Sequence, residues 1–111
     1  MSKRNGKRGD VPEVDVREAY RRCHSGEATL VDVREADELE QASIPGAIHL
    51  PLSEMAARYG ELPHGRDLLV ICQSGVRSSI VTDMLAKNGY ERSTNVAGGI
   101  VAWYHAGLPV E

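Results

Sequence analysis

Phenylalanine is absent from this sequence and tryptophan occurs once, so leucine and valine must fill whatever core the chain builds. Cysteine is nearly as scarce. Cys23 and Cys72 show neither a CxxC spacing nor a dense disulfide pattern, which excludes a disulfide-stapled scaffold and favours reduced thiols. The four histidines, His24, His49, His64 and His105, are scattered without ligand spacing, so neither a structural zinc nor another cofactor is expected. No apolar run is long enough to cross a bilayer, and no membrane role is expected. The opening residues, Met1-Ser2-Lys3-Arg4, lack the apolar segment of a secretory signal, which predicts a cytoplasmic protein.

A strong excess of one charge is also missing, since the net charge is −3. Its distribution is uneven. Lys3, Arg4, Lys7 and Arg8 face only Asp10 near the start, interleaved with Gly6 and Gly9, so residues 1–11 are expected to be a flexible basic tail. The acidic remainder lacks the dense basic face that nucleic acid requires. At 111 residues, 41% hydrophobic and 26% charged, the composition suits one globular domain, placed at residues 12–111.

What is present reads as strands alternating with helices. Asp15-Val16-Arg17-Glu18 has capping-box spacing, and Val16, Ala19, Tyr20 and Cys23 recur on one face of the helix it opens. Thr29 to Val33 is a strand, Ala36 to Gln41 a short helix, and Ala47 to Leu50 a second strand. Ser53 is the expected N-cap of a helix reaching Tyr59. The continuous apolar run Leu68-Leu69-Val70-Ile71 is the pattern of a buried parallel strand, and a helix is expected over Ser78 to Lys87. Ser93 to Ala97 closes the sheet, Gly98-Gly99 marks a close backbone approach, and Ile100 to His105 forms the last helix. The fold class is therefore α/β, an open parallel sheet of four to five strands with helices on both faces.

Between the central strand and its helix lies Cys72-Gln73-Ser74-Gly75-Val76-Arg77. Unpaired N–H groups at a helix start favour an anion, and a cysteine there has its thiolate stabilised. Gly75 lets the backbone curl, and Arg77 supplies a positive fork suited to an oxyanion.

Cys72 through Ser78 resembles the active-site loop of the rhodanese family, the thiosulfate sulfurtransferases. Asp32-Val33-Arg34 with Glu38, Ile44-Pro45-Gly46-Ala47-Ile48, and Gly98-Gly99-Ile100 with Ala102-Trp103 and Gly107 to Val110 resemble its other signatures in order. Three positions depart from the pattern: Ala42-Ser43 stands where the family usually has Gly-His, and Leu39 replaces a usual phenylalanine. The resemblance implies that Cys72 is the nucleophile. It would take a sulfane sulfur from thiosulfate or a persulfide donor and pass it, through a persulfide, to an acceptor such as cyanide or a thiol.

Gln73, Ser74, Gly75, Val76, Arg77 and Ser78 are then the substrate-binding residues. Their N–H groups cradle charge, Arg77 holds sulfonate oxygens, the Ser74 and Ser78 hydroxyls donate, and Gln73 and Val76 shape the entrance. Asp32 and Arg34 carry over as scaffold, and His49, His64 and His105 are expected to be dispensable. The implied partners are small-molecule sulfur donors and acceptors, with a thiol-containing partner protein as the alternative, on a monomer or weak dimer. Two further readings are a cysteine phosphatase or arsenate reductase, whose loop holds one residue more than the four between Cys72 and Arg77, and a non-catalytic binding module.

Overall fold

The structure is a computed structural model describing residues 11–111. The basic tail expected at the start lies outside the described residues except for Val11, which is buried. Strands and helices alternate as β1 (Glu13–Val14), α1 (Val16–His24), β2 (Ala28–Asp32), α2 (Ala36–Gln41), β3 (Ile48–His49), α3 (Leu52–Arg58), β4 (Asp67–Ile71), α4 (Val76–Lys87), β5 (Ser93–Val96) and α5 (Gly99–His105). A 3-10 turn, Tyr59–Glu61, follows α3. The five strands form one sheet in the order β1-β5-β4-β2-β3, with every pairing parallel. All carboxyl ends therefore open on one edge.

The side-chain period of two along a strand divides the core between the two faces. Leu68, Val70 and Cys72 join Val31, Val33, Leu50, Met55, Val81 and Leu85 on one face. Leu69 and Ile71 join Ala19, Leu30, Val96, Ile100 and Trp103 on the other. Strand β4 is thus apolar at consecutive positions because both of its faces are covered, and burying each such side chain contributes roughly 1.5–3 kcal/mol. With phenylalanine absent, Trp103 is the largest fully buried side chain. Its Nε1–H donates to Pro109 O at 2.8 Å, which pins the end of the chain.

Several local expectations shift. Asp15 caps α1 by accepting from Glu18 N at 2.8 Å, but the Glu18 carboxylate pairs with Arg21 at 2.8 Å and does not return to the cap. Helix α3 starts at Leu52, with Pro51 at the cap position expected for Ser53. The reason is that Leu52 N–H donates to Val33 O, fixing the chain's direction one residue early, while the Ser53 hydroxyl donates to Glu35 Oε1. Helix α4 begins at Val76, two residues before Ser78, because Gly75 adopts φ +102° and turns the chain directly into the helix. Strand β1 carries no signal of its own, being two residues held by Asn95 N–H to Pro12 O and Ala97 N–H to Val14 O.

Candidate active site

Cys72 follows the last residue of β4, and its side chain is 1% exposed. Three donors converge on Sγ: Gly75 N at 3.1 Å, Ser78 N at 3.3 Å and Ser78 Oγ at 3.2 Å. Burial alone would push this thiol up, but these hydrogen bonds, with one from the Ser74 N–H, outweigh it and hold the thiol below its ordinary value. Cys23 shows the contrast. In the last turn of α1, away from any helix start, it is pushed up to about 11 by burial.

The loop can aim its N–H groups inward because its carbonyls are satisfied from outside. Ile100 N–H donates to Cys72 O at 2.9 Å and Val101 N–H to Gln73 O at 3.2 Å, so the start of α5 grips the loop's outer side. That approach requires Gly99, where a Cβ would lie 2.4 Å from Gln73 O and 2.5 Å from Cys72 O. The Asn95 amide adds a third tie, donating to Gly75 O at 3.3 Å and to Glu13 Oε2 at 2.9 Å.

The structure brings the expected loop residues together around Sγ. Ser78 is buried and supplies both a backbone and a hydroxyl donor to Sγ; Ser74 is exposed and reaches the sulfur through its N–H. Gln73 lines a cleft of about 440 Å³ beside the loop, and Val76 is 53% exposed. Arg77 is engaged by Glu38, its two terminal nitrogens donating to the two carboxylate oxygens at 2.8 and 2.7 Å. Those bonds are the chief cause that pushes the Glu38 carboxyl down to about 2. Glu38 was visible in the sequence as part of the signature that follows Asp32-Val33-Arg34; nothing local marks its link to a residue 39 positions away.

Asp32 and Arg34 form a buried pair, both side chains 2% exposed, with Nη2 2.8 Å from Oδ2. Arg34 also donates to Ala42 O at 2.8 Å, so the pair ties β2 to the end of α2, beneath the cleft. The histidines lie apart from Sγ: His49 Nε2 contacts Arg34 O, His64 stacks on Tyr90, and His105 lines the far wall of the cleft.

A parallel sheet that presents a hydrogen-bonded thiol at the start of a helix defines a class of α/β proteins built around a loop cysteine. Within that class the chain belongs to the rhodanese family, whose Rhodanese-like domain matches residues 15–106. It is 39% identical over 101 residues to a sulfurtransferase of Allochromatium vinosum, covering 90% of this chain and 94% of that protein. It is 31% identical over 98 residues to the thiosulfate sulfurtransferase GlpE of Vibrio cholerae, covering 88% and 92%. The crystal structure of a rhodanese-related protein from Thermoplasma volcanium superposes with a TM-score of 0.84 at 31% identity, covering 90% of this chain and 97% of that one.

Proposed function

We propose that this protein is a sulfurtransferase that moves a sulfane sulfur from thiosulfate or a persulfide donor to a thiophilic acceptor through a persulfide on Cys72. The observation that carries this reading is the convergence of Gly75 N, Ser78 N and Ser78 Oγ on a buried, unpaired thiol. Such donors favour the thiolate, which attacks the outer sulfur of the donor. As the new bond to Sγ forms, the donor's S–S bond breaks and its remainder leaves with the electron pair, as sulfite or a thiolate. The same donors then hold the terminal charge of the persulfide until an acceptor attacks it. A thiol held below its ordinary value by hydrogen bonds gives up its proton without a dedicated general base, which fits an Sγ whose partners are backbone and serine groups.

A second reading, with a protein thiol as the acceptor, is favoured by the surface around the loop. Val76, Ile80, Val101 and Tyr104 are 53%, 45%, 42% and 66% exposed, and all lie on α4 and α5 near the loop. Exposed apolar side chains gathered around a site suit a macromolecular contact better than they suit cyanide.

Intact mass after incubation with thiosulfate or an alkyl persulfide tests the chemistry. The wild type should gain one sulfur atom that cyanide removes as thiocyanate, and Cys72→Ser should gain none. A folded, reduced wild type that acquires no cyanide-labile sulfur would overturn the assignment.

A further inference from the structure

Arg77 is the single cation of the loop, and it is already occupied. Its bidentate partner Glu38 is itself anchored, since Glu38 Oε1 accepts from the Glu35 N–H at 2.8 Å. The pair is partly buried, with side chains 31% and 28% exposed, and Glu38 stands in the wall of the cleft beside Gln73. Asp37 adds a second carboxylate to that lining. The other charged group there is Arg34, which Asp32 neutralises, and Tyr104 and His105 are the remaining titratable side chains. The loop's one arginine is therefore compensated, and the neighbouring cleft wall adds the Asp37 carboxylate, so a donor at Cys72 meets no free positive fork for a sulfonate.

We propose, building on the sulfurtransferase reading, that Glu38 sets donor specificity: by engaging Arg77 and cancelling the charge that would hold a sulfonate, it disfavours the thiosulfate dianion and selects persulfides. A persulfide R–S–SH presents its sulfane sulfur without a sulfonate. Cys72 Sγ attacks the outer sulfur, the S–S bond of the donor breaks, and R–S⁻ leaves with the electron pair while the proton stays on the new Cys72 persulfide. Glu38 touches no reacting atom; it acts through Arg77 and through its charge.

The test measures the rate at which Cys72 gains sulfur, by intact mass, for the wild type and Glu38→Gln. Three donors separate charge from shape: thiosulfate, methanethiosulfonate with one negative charge fewer, and the persulfide of N-acetylcysteamine. In Glu38→Gln, loading from thiosulfate should rise about tenfold, from methanethiosulfonate about threefold, and from the persulfide by less than about twofold. No rise with thiosulfate, or an equal change for all three donors, overturns the assignment. Glu38 also supports the start of α2, so circular dichroism checks the variant's fold, and a salt series on the wild type gives an independent readout. Added salt should speed thiosulfate loading by screening repulsion and leave the persulfide rate unchanged; salt that slows thiosulfate loading shows net attraction and sinks the proposal. If no donor loads Cys72 in either protein, the sulfurtransferase reading falls as well, whereas loading without donor discrimination removes only the role of Glu38.

Discussion

Ser78 approaches Cys72 twice, its Oγ lying 3.2 Å and its backbone N 3.3 Å from Sγ. One residue at the first turn of α4 thus provides two of the sulfur's donors. The hydroxyl is separable from the backbone by mutation. Ser78→Ala should raise the Cys72 pKa, since the hydroxyl donates to Sγ and a hydrogen bond to the charged form favours that form. The pH dependence of iodoacetamide alkylation, with Cys23→Ser as background, reads the shift directly. An unmoved midpoint would mean that the backbone donors alone set the thiolate.

Gly99 and Gly46 both have positive φ, +61° and +85°, yet their surroundings differ. A methyl at Gly46 meets open space, whereas one at Gly99 collides with the carbonyls of Cys72 and Gln73. Gly46→Ala should cost about 1–2 kcal/mol from backbone conformation alone, and Gly99→Ala clearly more, with a loss of sulfur loading that Gly46→Ala does not show. Urea unfolding of both variants compares them, and equal costs would remove the case for a close approach of α5 to the loop.

Acid should weaken the Glu38–Arg77 link in a defined window. The carboxyl is held below its ordinary value of 4.5, at about 2, so its stabilisation is present in full above about 4.5 and is lost as pH falls toward 2. Urea midpoints of wild type and Glu38→Gln should therefore converge through that range and stay apart at neutral pH. Parallel curves from neutral pH to pH 2 would show that the pair contributes nothing to folding.

His49→Ala, His64→Ala and His105→Ala should each keep turnover per folded molecule within about twofold of wild type, because general base catalysis contributes about a hundredfold or more where it operates. His49 and His64 have structural contacts, with Arg34 O and Tyr90, so their loss should appear in thermal unfolding. A large fall in turnover for any of the three at unchanged stability would bring a histidine into the mechanism.

Much of this architecture was legible locally. The run from Leu68 to Ile71 reads as a doubly covered strand because each residue is apolar whichever way it points, and β4 is such a strand. Gly98-Gly99 signalled a backbone contact, which proved to be the grip of α5 on the carbonyls of Cys72 and Gln73. Element ends were less legible. The start of α3 depends on Val33 O taking the Leu52 N–H, and β1 exists only because β5 offers it hydrogen bonds.

By itself the sequence determined the strand and helix order, the sheet's two apolar faces and the loop that joins β4 to α4, because periodicity, glycine positions and helix-start chemistry act over a few residues. Only the tertiary structure decided what surrounds that loop. Ile100 meets Cys72 O, Asn95 meets Gly75 O, and Glu38 takes the arginine that the motif alone offers to a substrate. These partners come from elements made adjacent by parallel pairing at one sheet edge, so no spacing along the chain encodes them. The charge that a donor meets at Cys72 is therefore a property of the fold, even though the thiol and its arginine are written in one short stretch.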